Sequence, residues 1–288
     1  MDGRTRVLAV AAVIAALAVG ILVGSSPLRS LITGGPSSEA DELRTELEDA
    51  TAAAKDAQEA AAVGEDFAAA TAPILLAGSL EGRVVALVRT SDATDDDVAA
   101  ASAHLADTGV VVGAEAALTE DWTSEDRAPF RDALAEQITS SLTQEPTGAT
   151  TEQVLAAALA QALAPGIAAG TDLVGAQASE RADTLWTLLT EAGLVTGART
   201  APVDTFVLVT ASGEPELAHA FADTSAGTVV GYTGTDRADG GGASSVTRAA
   251  NPWGALAVAG ALAAAAQGSD GDFDAADAPE LVAAANEY

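Results

Sequence analysis

An uninterrupted apolar run at residues 7–23 (VLAVAAVIAALAVGILV) constrains this chain more than any other feature. As a helix its 17 residues reach about 25 Å, the short end of what crosses a bilayer. Arg4 and Arg6 precede the run and Arg29 alone follows it closely. Residues 1–6 are therefore expected in the cytoplasm and the chain beyond 23 outside it. A cleaved secretory signal is the competing reading, with Val23-Gly24-Ser25 or Gly24-Ser25-Ser26 as the nearest small-residue site. Either site is mediocre and the apolar core exceeds that of a usual signal, so an uncleaved single-pass anchor is preferred. Cleavage would instead leave a secreted soluble domain. Burial in a soluble core would need apolar layers on every side of the helix, and the following sequence supplies none.

Composition narrows what the exported part can do. The chain is 49% hydrophobic but only 3% aromatic, so alanine must make much of its core and contacts must be small. Against 42 acidic residues stand 13 basic ones, a formal net charge of −29. Such a surface repels phosphates, and no nucleic-acid partner is expected. There is no cysteine, which excludes thiolate catalysis, iron–sulfur ligation and cysteine metal sites. The single methionine is Met1, so a soft Cu(I) site within the folded domain is not evident.

Gly34, Gly35, Pro36 and Ser37 break the chain after the apolar run, and Ser38 can cap a helix whose first turn carries Glu39, Asp41 and Glu42. Over residues 38–70 a 4,3 spacing links Leu43, Leu47, Ala50, Ala54, Ala57, Ala61, Gly64 and Ala68, the seam of a coiled-coil-like membrane-proximal helix. Leu43, Leu47 and the anchor, whose Gly20 and Gly24 have a small-x-x-x-small spacing common by chance, are the contacts of a homo-oligomer if one forms. Only the first two seam positions are large and Gly64 weakens the helix, so a solitary spacer is the alternative. Pro73 breaks the pattern.

The main exported domain is expected over residues 82–268. Residues 84–88 read as a buried strand, Thr94 as the cap of a helix ending near Gly109, and residues 110–112 as the next strand. Helices follow at 128–142, with Phe130, Leu134 and Ile138 on one face, and at 152–163 and 180–192. Trp122 and Trp186 are expected as packing anchors. The alternation resumes with a strand at 206–209, a helix at 215–222 and a strand at 228–230. Residues 237–245, containing Gly240, Gly241 and Gly242, read as a flexible connection. Asn251 and Pro252 start an apolar helix over 253–267, too short for a second span and therefore buried. Residues 269–288 read as an acidic, mobile tail. The fold class is thus α/β: a transmembrane helix, a membrane-proximal helix and a Rossmann-like domain with a mostly parallel sheet of about four or five strands.

Catalytic signatures are missing. Arg89-Thr90-Ser91-Asp92 occupies the place where a dinucleotide fold would need its glycines, and neither a nucleophile elbow nor a His-Glu-x-x-His motif occurs. His104 and His219 each fall in an expected helix and read as structural or solvent-facing. Asp92, Asp95, Asp96 and Asp97 lie just after the first strand, at the ligand-binding edge of an open α/β sheet, and are the candidate ligands for a hard cation. A capped, solvated helix terminus explains the same residues. Asp236 and Asp239 flank the glycine run, where a flexible loop is the simpler reading.

Residues 13–28 (VIAALAVGILVGSSPL), 67–85 (FAAATAPILLAGSLEGRVV) and 249–255 (AANPWGA) resemble the actinobacterial copper-transporter family typified by mycobacterial MctB. Where that family tends to have an acidic Asp-Thr-type turn, this chain has Asn251-Pro252. The resemblance implies a hydrophobic N-terminal helix, a coiled-coil segment and an exported α/β domain. It further implies a cell-envelope protein of copper transport or resistance, in the cell membrane or an outer envelope membrane. Copper enters only through this resemblance, and no family site residue maps onto the chain. The expected role is a noncatalytic assembly or scaffold module bound to membrane lipid. The alternative is an exported solute- or metal-ion-binding module.

Overall fold

Ala86 and Val88 of strand β1 (Val84–Arg89) enter one apolar cluster while Val85 and Leu87 enter another, the period-two alternation of a strand covered on both faces. Strand β4 (Thr205–Thr210) divides Phe206 and Leu208 from Val207 and Val209 in the same way, and β5 (Gly227–Tyr232) divides Val230 from Val229. The computed structural model describes residues 37–143, 149–165, 176–236, 243–279 and 281. The expected cytoplasmic start and the apolar run at 7–23 lie outside these residues. By compactness the chain divides between Ala62 and Val63.

Strands β2 (Val111–Leu118), β3 (Val195–Arg199), β6 (Ser244–Thr247) and β7 (Asp272–Asp274) complete a seven-stranded sheet of order β3-β2-β1-β4-β5-β6-β7. All neighbours pair in parallel except β3, which runs antiparallel to β2. One face is covered by α3 (Ala128–Thr139), α4 (Thr151–Leu163), α5 (Ala176–Glu191) and α6 (Pro215–Thr224). The other is covered by α2 (Asp95–Ala101), α7 (Pro252–Ala265) and the buried Leu76 and Leu80. The connection β1–α2–β2 builds the sheet one way on one face, and β4–α6–β5 builds it the other way on the opposite face. Direction therefore reverses between β1 and β4, the switch point of a doubly wound sheet.

Local signals explain the elements. Thr94 caps α2 and Thr150 caps α4, each in a reciprocal capping box. Asn251 Oδ1 accepts from Gly254 N at 2.6 Å, with Pro252 in the first turn of α7. Helix α7 is buried almost all round, as expected of an apolar helix too short to span a membrane. Trp122 is 5% exposed in the first apolar cluster and Trp186 packs against it, so both serve as packing anchors.

Several expectations need correction. The sheet has seven strands rather than four or five. β3 is a short edge strand that pairs through Gly197, whose φ of +131° and a backbone oxygen 2.0 Å from where a Cβ would stand explain the glycine. Ser244 and Ser245, expected in a flexible connection, belong to β6; residues 237–242 lie outside the described residues. The expected acidic tail contributes β7. Ser245 Oγ donates to Asp272 at 2.7 Å and Thr247 Oγ1 to Asp274 at 2.5 Å, so aspartates that suggest a solvated tail partner hydroxyls of β6. Ala278 and Leu281 are buried as well, and with Leu76 and Leu80 they carry the packing beyond 82–268 on both sides. Phe130 is 39% exposed, with Arg127 stacked 4.5 Å from its ring centre, while Leu134 and Ile138 are buried. The first helix after β1 ends at Ala101, which leaves His104 in a turn.

Helix α1 spans Ser37–Leu75 and contains Pro73. Leu43 and Leu47 on it are 57% and 68% exposed. Among the described residues no helix is long and apolar enough to cross a membrane.

Phe206 of β4 and Phe221 of α6 are fully buried and stack with ring centres 4.3 Å apart and planes 1° from parallel. Phe221→Ala is expected to lower unfolding stability by about 3–5 kcal/mol in urea titrations of the full chain. A loss below about 1 kcal/mol would contradict this account of the α6 face.

Candidate functional site at the carboxyl edge of the sheet

Strands β1 and β4 leave the sheet side by side, and the crevice between their carboxyl ends is where open α/β sheets bind ligands. Here one carboxylate spans it. Asp92 Oδ1 accepts from Thr90 Oγ1 and from Ala211 N at 3.2 Å, with Thr210 Oγ1 3.5 Å away. Asp92 Oδ2 accepts from Ser212 N at 2.9 Å and from Ser212 Oγ at 2.5 Å. Thr90 N donates to Val209 O at 3.1 Å and Gly213 N to Thr210 Oγ1 at 2.8 Å, so the loops after β1 and β4 form one hydrogen-bonded unit. Burial alone would push the Asp92 carboxyl up. The donors from Ser212, Thr90 and Ala211 outweigh it and hold the group below its ordinary value.

The other three candidate carboxylates are directed elsewhere. Asp95 receives Arg89 Nε at 2.8 Å, and Arg89 Nη1 also donates to Ala93 O at 3.1 Å. Asp97 Oδ2 accepts from Thr94 N at 2.9 Å and from Thr94 Oγ1 at 2.8 Å, closing the α2 cap. Asp96 is exposed. Among the described residues, no group of three or more His, Asp or Glu side chains is arranged to hold a metal ion. His104 Nδ1 lies 3.0 Å from Asp107 Oδ2, and His219 Nδ1 lies 2.9 Å from Pro215 O. The turn after α2 and helix α6 belong to opposite faces of the sheet, so the two histidines are not brought together. Asp236 is exposed, and Asp239 lies outside the described residues.

Sequence reasoning missed Glu214, which stands at the start of α6 on the same edge. Burial raises its carboxyl above the ordinary value, and the neighbouring charges of Glu216, Asp92 and Glu152 raise it further. Only its place between β4 and Pro215 could have pointed to the edge; Glu152 reaches it from α4, far away in sequence. Arg131, 5% exposed, was missed too. Its Nη1 donates to Asp121 O at 3.0 Å and Ser124 O at 2.6 Å, fastening the turns after β2. Beside α2, a groove of about 570 Å³ runs over β2 and β3, lined by Leu87, Val98, Ala117 and Thr196 with charged Arg89 and Glu115. Its walls mix apolar stems with a paired arginine, and no nucleophile–base pair faces it.

Two substitutions test the edge. Asp92 has a lowered folded-state pKa, so its contribution is present above the unfolded value and is lost as pH falls through the folded one. Asp92→Ala is expected to cost about 1–2 kcal/mol at neutral pH, discounted for the exposure of the carboxylate, and the cost should fade in acid. Glu214 behaves oppositely. Its raised value means that ionisation weighs against the folded state as pH rises through it. Glu214→Gln should therefore raise the melting temperature at pH 7.5, with the gain vanishing near pH 4. A gain that persists unchanged at pH 4 would contradict the charge argument.

The family described as copper transport outer membrane protein, MctB, matches residues 1–282 of this chain. Similar relatives include the proteins called copper transporter MctB in Mycobacterium bovis and Mycobacterium tuberculosis. Each is 28% identical over 139 residues, covering 48% of this chain and 43% of the relative. The aligned stretch thus spans less than half the length of the curated relatives. With a match that runs through nearly all of its length, the chain belongs to the MctB copper transport outer membrane protein family.

Proposed function

We propose that this chain is a membrane-anchored cell-envelope protein that serves copper transport or resistance as a noncatalytic assembly module. The observation that carries the reading is the family match over residues 1–282, which includes the apolar run at 7–23, helix α1 and the α/β domain. Residues 7–23 hold the chain in a cell or outer envelope membrane, and the domain stands on the extracytoplasmic side. Copper is cargo in this reading. The chain offers no cysteine, and its one methionine is Met1, so soft sulfur ligation of Cu(I) by the domain has no basis. The polar groups of the β1–β4 crevice support the same reading, because Asp92 and its donors satisfy one another. A single apolar helix lines no pore, so passage of an ion would need several copies or other partners.

The test uses the full chain in a mycobacterium deleted for its own family member. Growth at graded copper concentrations is recorded, together with inner and outer membrane fractions after carbonate washing. Restored copper tolerance and an intact-mass protein retained in one washed membrane are expected. Unrestored tolerance would overturn the copper role, and release of a shortened soluble protein would overturn the anchor. Stoichiometric Cu(I) binding by the purified chain, in competition with bicinchoninate, would replace the assembly reading with that of an exported metal-binding module.

A further inference from the structure

Helix α1 separates its apolar seam from most of its charge. Written as heptads, Leu43 and Ala50 take successive d positions and Leu47 and Ala54 successive a positions, and all four are exposed. The flanking e and g positions hold Arg44, Thr51, Glu46 and Ala53, which carry no net charge together. The outer positions carry Glu48, Asp49 and Asp56, and Lys55 is engaged there with Glu59 at 3.7 Å. In a chain of net charge −29, self-repulsion opposes pairing of like with like, and this seam is a strip of α1 where it is relieved.

We infer that the seam around Leu43 and Leu47 is covered by α1 of a second copy of this chain, parallel and in register, as a two-stranded coiled coil. Direction follows from the charges. An antiparallel pair that kept the leucines in contact would centre near residue 45, bring the two Arg44 side chains together and do the same for the two Glu46 side chains. It would also leave Ala54 uncovered. The parallel pair sets Glu46 near Thr51 of the other helix, stacks each leucine on its own counterpart and keeps Ala50 and Ala54 in the seam, where small side chains let the helices approach closely. A shared membrane at residues 7–23 imposes the same direction, and to that extent the inference rests on the anchored reading.

The absence of native cysteine makes the test clean. Single-cysteine variants of the full chain, Leu43→Cys and Ala50→Cys on the seam and Asp49→Cys and Ala52→Cys off it, are oxidised with diamide in isolated membranes. Disulfides form only where Cα atoms come within about 7 Å. The expected result is covalent dimer at Leu43→Cys and Ala50→Cys, roughly tenfold above the two off-seam variants, in line with that distance limit. Ala50→Cys keeps both leucines, so it reports on the seam even if Leu43→Cys weakens it. Equal cross-linking at residues 50 and 52, or none at either seam position, would overturn the inference. So would preferential linkage in mixtures of Leu43→Cys with Leu47→Cys, the antiparallel signature. Membrane retention is scored on the same samples: dimer without retention removes the anchor and leaves the pairing, whereas retention without dimer removes the pairing alone.

Discussion

Burial of β1, β4 and β5 on both faces is the constraint from which the rest of the domain follows. A strand whose alternate residues all meet apolar neighbours needs a layer on each side, and helical crossovers that supply both layers return the chain parallel to itself. The small residues of the core decide how closely those layers sit. Helix α7 contributes Ala257, Ala259, Ala261 and Ala263, all fully buried. Few aromatics are needed under these conditions, and the stacked Phe206 and Phe221 fill the space on the α6 face.

Double winding has a second consequence. Where the sheet reverses direction, between β1 and β4, the connecting chains diverge to opposite faces and leave a crevice lined with backbone donors. Folds that bind dinucleotides place glycines there and let a ligand satisfy those donors. This chain places Asp92 there instead, and its carboxylate takes the Ala211 and Ser212 amides and the hydroxyls of Thr90 and Ser212. Two carboxylates on one edge are thereby driven in opposite directions: donors hold Asp92 ionised, while burial and like charges hold a proton on Glu214 more tightly. A site for phosphate or hard cations would have to break the Asp92 contacts first.

The parts legible in sequence were those with a local physical cause. Short apolar runs rich in valine marked β1, β4 and β5, and the Thr94 and Asn251 caps marked the starts of α2 and α7. β3, β6 and β7 were not legible, because Val-Thr-Gly-Ala-Arg, Ser-Ser-Val-Thr and Asp-Phe-Asp acquire their strand character only from a neighbour already in place. Phe130 shows the same limit from the other side: helical spacing set it beside Leu134 and Ile138, yet Arg127 covers its ring near the surface. Among candidate site residues, the position of Asp92 at the carboxyl edge was legible, but its partners, about 120 residues away, were not. Glu214 escaped notice because burial, the main cause of its raised value, follows only from the folded edge; of the charges that add to it, Glu216 is local while Asp92 and Glu152 come from elements distant in sequence.

Amide hydrogen exchange at Ala211 and Ser212, followed by NMR across pH, tests the account most directly. If Asp92 closes the crevice, both amides are protected at neutral pH, well above exposed loop amides, and lose that protection as the pH falls far enough to protonate Asp92. Amides that exchange at neutral pH as freely as an unstructured loop would show that the crevice stands open, and the account of this edge would fall.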